Sequence, residues 1–181
     1  GIVAGLYSLT FWTPQIVKAF GLSNTATGMV AALPFLAGAL VMYPWGRSSD
    51  RRSERVWHVA IPSFVGAAGL IAGTFATQPA WAMAALIVAA LGIFAALPTF
   101  WTLPTALLSG TAAAAGIALI NSIGNIGGFA GPYAVGWLKG AGLDTASAVA
   151  AISALMVLSG VVVLGAARAQ ARRAASASQL P

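Results

Sequence analysis

The stretch GRSSDRRSER, residues 46–55, holds Arg47, Asp50, Arg51, Arg52, Glu54 and Arg55, in a chain with only nine Lys or Arg and three Asp or Glu. Half of all the charge therefore lies in ten of 181 residues. The chain as a whole is 59% hydrophobic and 7% charged, with a mean hydropathy of +0.89, whereas soluble domains carry roughly 25% charged residues. Its solvent must be largely hydrocarbon. On either side of residues 46–55 run apolar segments of about twenty residues, long enough to cross a hydrocarbon layer about 30 Å thick as helices. Division at the polar breaks predicts six spans: 1–17, 27–45, 57–76, 80–101, 112–137 and 146–167. The breaks carry turn and capping chemistry, as in GLSNT, TQPA, LSGT and KGAGLDT. A membrane β-barrel needs segments of about ten residues with alternating polarity; these runs are continuous and rich in Ala, Leu and Gly, so the expected class is all-α integral membrane.

The basic residues orient the spans. If residues 46–55 are cytoplasmic, the even number of spans that follows returns residues 168–181 to the same side. That side then holds Arg47, Arg51, Arg52, Arg55, Arg168, Arg172 and Arg173, against Lys18 and Lys139 opposite. This is a positive-inside bias, and it explains the net charge of +6 without a nucleic-acid partner, for which no polar domain exists. Trp12, Trp81 and Trp137 fall at the outer ends of spans and Trp45, Trp57 and Trp101 at the inner ends, as interfacial belts require. The small, basic segment 168–181 is expected to be a disordered cytoplasmic tail.

Enzymatic chemistry lacks its parts. With no cysteine, one histidine and three acids, neither a catalytic triad nor a multi-His metal site can assemble, and no phosphate-binding loop is present. The expectation is a non-enzyme with no metal and no cofactor. His58, beside Trp57 at the cytoplasmic interface, is read as structural.

Acidic residues contribute little to orientation, so Asp50 and Glu54 imply a specific ion-paired loop. Gly46, three residues, then Asp50 and Arg51 followed by further basic residues resembles the cytoplasmic signature loop of the major facilitator superfamily, G-x-x-x-D-R-x-G-R-R. Ser53 stands at its second glycine and Glu54 at one of its basic positions. FWTPQIVKAFGLSNTATG, WGRSSDRRSERVWHVAIP and FWTLPTALLSGTAAAAGIALINSIGNIGGFAGP are similar to the anion:cation symporter branch, whose members carry organic acids such as tartrate, galactonate and phthalate with protons. The resemblance implies helices 7 to 12, the C-terminal half of a twelve-helix fold. It also implies that Gly46, Asp50, Arg51, Arg52 and Arg55 act as a gating network at the helix ends. Gly1 in place of Met and a first span without a basic lead-in agree with a fragment whose partner is an N-terminal six-helix half.

Polar residues inside a bilayer are the default candidates for substrate contact. Asn121 and Asn125, four apart, share one helical face and can both donate and accept. Helix packing through the overlapping pairs Gly124/Gly128 and Gly127/Gly131 is the other reading of that segment, and the resemblance favours Asn125 as a cavity residue. Tyr7, Phe11 and Gln15 recur on one face of the first span. Trp101, with Thr99 and Thr102, lies near Pro98 and Pro104, and the resemblance places it beside the cavity. No Asp, Glu, Lys or Arg lies deep in any span, so a coupling acid and an anion-binding cation would come from the other half. The expected function is proton-coupled symport of a small organic anion, a sugar acid, dicarboxylate or aromatic acid, by alternating access in a bacterial inner membrane. The alternative is a non-transporting six-span structural or assembly subunit.

Overall fold

A computed structural model describes residues 1–142 and 145–177. Six helices follow one another: α1 (Ile2–Lys18), α2 (Asn24–Arg52), α3 (Val56–Thr74), α4 (Pro79–Leu107), α5 (Gly110–Gly140) and α6 (Thr145–Ala177), with no strand among the described residues. The five from α2 to α6 are long and apolar enough to cross a membrane; α1, at 17 residues, is the shortest. The chain is a multi-pass integral membrane protein.

Local chemistry sets the helix ends. Ser23 caps α2, its hydroxyl accepting from the Ala26 N–H at 3.2 Å. Lys18 Nζ ties the α1–α2 turn by donating to the Leu22 carbonyl and to Asn24 Oδ1, each at 2.8 Å. Helix α2 runs past its predicted end at residue 45 and takes in Asp50, Arg51 and Arg52, so the signature residues are the last turns of a helix and only Ser53–Arg55 link it to α3. Helix α6 likewise continues through Arg168, Arg172 and Arg173 to Ala177. The tail expected to be disordered from residue 168 is helical to that point, because Ala, Arg and Gln are strong helix formers; residues 178–181 lie outside the described residues.

The packing follows a swapped pattern. Helix α2 packs on α4 and α5 on α1, while α1 also meets α4 and α3 meets α6; α2 and α5 share no contact among the described residues. Exchanging α1–α3 with α4–α6 reproduces these pairs, the relation expected of nested repeats of three helices. The core lies where α1, α3, α4 and α6 converge, around Leu9, Val59, Ile93 and Met156.

Glycine makes this convergence possible. A Cβ on Gly92 of α4 would overlap the Gly66 backbone of α3, and one on Gly69 would overlap the backbone of Ala89. Backbones thus touch where α3 crosses α4, the way membrane helices gain packing without a hydrophobic driving force. Gly160 of α6 faces Phe64 and Ala60 of α3, and Met156 faces Gly66, so α6 runs antiparallel to α3. Arg168, Arg172 and Arg173 consequently sit toward the end of the bundle that carries residues 46–55.

Candidate functional site

On the outer surface of α1 and α5, Tyr7, Phe11, Trp12, Gln15, Asn125, Gly128, Phe129, Pro132 and Tyr133 line a cleft of about 580 Å³. The two helices run parallel: Gly124 faces Val3, Gly128 faces Tyr7, and Gly131 faces Ala4 and Ser8. Each of these three glycines presents its Cα to α1, whereas Gly127 points to open space. The useful ridge is therefore 124, 128 and 131, not the pair 127 and 131 on its own. At Gly128 a Cβ would press into the Tyr7 ring, 2.8 Å from Cδ2. Because glycine stands there, the ring can lie close against α5, and its hydroxyl donates to Asn125 Oδ1 at 3.3 Å.

Four of the predicted substrate residues, Tyr7, Phe11, Gln15 and Asn125, are thus brought into one cleft. Asn121 and Trp101 are not. Asn121 is exposed one turn below Asn125 and does not line the cleft. Trp101 lies on α4, its ring edge-on to Phe100 with centroids 5.5 Å apart, while Thr105 Oγ1 donates to its carbonyl at 3.0 Å. Trp12, Phe129, Pro132 and Tyr133 line the cleft as well, and the sequence contained a signal for two of them. Asn125, Phe129 and Tyr133 repeat at four-residue steps as Tyr7, Phe11 and Gln15 do, so two parallel helices present matching ladders.

A cavity of about 630 Å³ opens where the C-terminal ends of α1 and α3 meet the N-terminal end of α4. Its walls are chiefly aliphatic, including Leu9, Ile16, Leu70, Leu86 and Ile152. Of the predicted substrate residues only Gln15 reaches it, so the cleft is the better candidate.

The charged end forms a compact network. Arg55 Nη1 reaches Asp50 Oδ1 at 2.5 Å and donates to Ser49 Oγ at 2.9 Å, and Ser49 Oγ donates to the Glu54 carbonyl at 2.6 Å. This ties the last turn of α2 to the first of α3. Ser53 closes α2 in the left-handed region at φ 48°, the conformation glycine adopts most readily, so the backbone turn is kept without the glycine of the motif. Gly46, Arg51 and Arg52 make no contact in this network; both arginines are exposed.

Glu54 departs from the basic pattern because it has its own task. It accepts from the Trp57 N–H at 2.7 Å and the His58 N–H at 3.2 Å, capping α3. Its Oε2 lies 2.7 Å from His58 Nδ1, and Nε2 of that ring is 3.2 Å from Ser48 Oγ. Trp45 Nε1 donates to the His58 carbonyl at 2.9 Å. His58, 6% exposed, is thereby a rivet between α2 and α3, in keeping with a structural role.

Burial tends to raise the Glu54 pKa, but the donors from Trp57 and His58 outweigh it and hold the carboxyl below its ordinary 4.5. For a depressed carboxyl the stabilisation is complete above the unfolded pKa and fades as pH falls through the folded one. Glu54→Gln is therefore expected to unfold more easily at pH 7, by roughly 1 kcal/mol as for a lost helix cap. In melting curves of detergent-solubilised protein, the gap between wild type and variant should narrow from pH 7 to pH 4. A gap that stays constant would remove the carboxylate from the account.

Residues 1–132 match the family model of the Major Facilitator Superfamily. The chain belongs to this superfamily. It is 44% identical over 91% of its length to an Agrobacterium vitis protein named as a tartrate transporter, covering 38% of that protein. A second Agrobacterium vitis protein of the same name is 42% identical over 93% of the chain, which covers 37% of it. A quinolone resistance transporter of Acinetobacter baumannii is 35% identical over 76% of the chain, which covers 32% of it. The chain thus spans about two-fifths or less of the curated relatives it matches. No solved structure matches it.

Proposed function

We propose that this superfamily member is the C-terminal six-helix half of a secondary active transporter that carries a small organic anion with protons by alternating access. Relatives named for tartrate transport support an organic acid as substrate, and the observation that carries most weight is the hydrogen bond from Tyr7 to Asn125 beside an open cleft of about 580 Å³. Two hydrogen-bonded polar side chains line the surface of a hollow between two helices.

None of the nine residues lining the cleft is charged. In this reading an N-terminal half completes the site, supplying the cation for the anion and the acid that takes up the coupling proton. The Arg55–Asp50 pair acts as a strut that keeps the ends of α2 and α3 together as the halves rock. The basic end faces the cytoplasm of a bacterium, by the positive-inside rule.

The test is uptake of a labelled organic acid into vesicles holding the complete transporter. An inward proton gradient should accelerate uptake several-fold, and a protonophore should return it to the basal rate. Uptake indifferent to the gradient would sink proton coupling.

A further inference from the structure

We infer that the α1–α5 cleft selects a planar aromatic carboxylate over an aliphatic hydroxy-dicarboxylate, an inference that rests on reading the cleft as a substrate site. Five of its nine lining residues are aromatic: Tyr7, Phe11, Trp12, Phe129 and Tyr133. On α5, the rings of Phe129 and Tyr133 lie 19° from parallel with centroids 5.7 Å apart, a stacked pair. They are 70% and 63% exposed, and Phe11 across the cleft on α1 is 56% exposed. More than half of each of these residues is therefore left uncovered by the described part of the chain.

The polar groups number five, on Tyr7, Trp12, Gln15, Asn125 and Tyr133, and part of this capacity is already used within the chain. The Tyr7 hydroxyl donates to Asn125, and Gln15 Nε2 donates to the Phe11 carbonyl at 3.3 Å. An aliphatic hydroxy-dicarboxylate has hydrogen-bonding groups along its whole length and loses water from each on entry. Here it would meet ring faces on most sides and free donors on few. A flat aromatic ring has the opposite needs: its faces stack on Phe129, Tyr133 or Phe11 in offset or edge-on geometry, and only its carboxylate edge requires donors. The Asn125 amide provides some of these, since an amide whose oxygen accepts from Tyr7 still has its NH₂ to donate. The cleft volume of about 580 Å³ lies within the range of about 300–1,000 Å³ usual for small-molecule sites.

Phthalate and tartrate form a matched pair of probes, both dicarboxylates, one built on a ring and the other on hydroxylated carbons. Uptake of each is measured in vesicles containing the complete transporter under one fixed proton gradient. The expected result is a KM for phthalate at least tenfold below that for tartrate, with unlabelled phthalate suppressing tartrate uptake. The double variant Phe129→Leu/Tyr133→Leu keeps apolar bulk for lipid or partner-helix contact but removes the stacking faces. It should raise the phthalate KM at least fivefold and leave that of tartrate within twofold. The competition in wild type needs no variant at all. Tartrate uptake unaffected by phthalate would overturn the aromatic preference while leaving the transporter reading intact. A leucine variant that shifts both substrates equally would assign these rings to packing and overturn it too. Absence of gradient-driven uptake of either acid by correctly inserted protein would reject the preference, and the same absence across sugar acids and other dicarboxylates would reject the proposed function beneath it.

Discussion

Gly92→Ala is expected to yield almost no folded protein. The added methyl group would overlap the backbone nitrogen of Gly66 and stand 2.5 Å from both the Gly66 Cα and the Pro62 carbonyl oxygen. Those are backbone atoms in the middle of α3, so no side-chain rotation relieves the clash; the helices must move apart. Moving them opens the contacts of Ile93, Val59 and Met156, all wholly buried at the centre of the core. Overpacking of a core by a methyl group costs about 1–3 kcal/mol where neighbours can yield; here they cannot, and the cost should reach or exceed the top of that range. Gly127→Ala is the control, since nothing lies within 4 Å of a Cβ at that position, and alanine is the better helix former by about 1 kcal/mol. Size-exclusion chromatography of detergent extracts, with a melting curve for whatever elutes as monodisperse protein, checks both. Gly92→Ala eluting and melting like wild type would show that the α3–α4 backbone contact is not the keystone of the bundle.

The second large effect is expected on transport. On the proposed function, Asn125→Ala in the complete transporter should lower kcat/KM for the transported acid by tenfold or more with the amount of folded protein unchanged. A hydrogen bond to a charged partner is worth about 1.5–3 kcal/mol, and each 1.4 kcal/mol is a factor of ten. Asn125→Asp makes the test sharper: it retains an acceptor for the Tyr7 hydroxyl but replaces the amide donor with a negative charge facing an anion. It should therefore be at least as poor as the alanine variant. Tyr7→Phe removes only the hydroxyl that orients the amide, and a smaller loss, mainly in KM, should result. If Asn125→Ala instead depletes folded protein while Asn125→Asp transports normally, the asparagine belongs to helix packing.

The helical, membrane-spanning class was legible because it depends on composition and run length, which sum over many residues and tolerate local error. The signature residues were legible as a group for a related reason: charge is so scarce in this chain that six charged residues in one place stand out. Their individual parts were not. Glu54 looked like a departure from a basic pattern, and only the fold shows it capping α3 and holding His58. Arg51 and Arg52 looked equal to Arg55, yet only Arg55 turns back across the three-residue link to reach Asp50 and Ser49.

The candidate cleft divides in the same way. Helical periodicity puts Tyr7, Phe11 and Gln15 on one face and Asn121 with Asn125 on another, but period alone is silent about which face meets which. That choice was made by three glycines on α5. Gly124, Gly128 and Gly131 let α1 approach at one height, which sets Asn125 opposite Tyr7 and leaves Asn121 below the cleft. Sequence by itself determined the solvent, the number of helices and the end at which charge gathers, because hydrophobicity and charge act residue by residue. Tertiary structure alone decided which side chains meet, because that depends on how closely two backbones can approach, and the approach is set by the absence of a Cβ at a few positions on helices far apart in the chain.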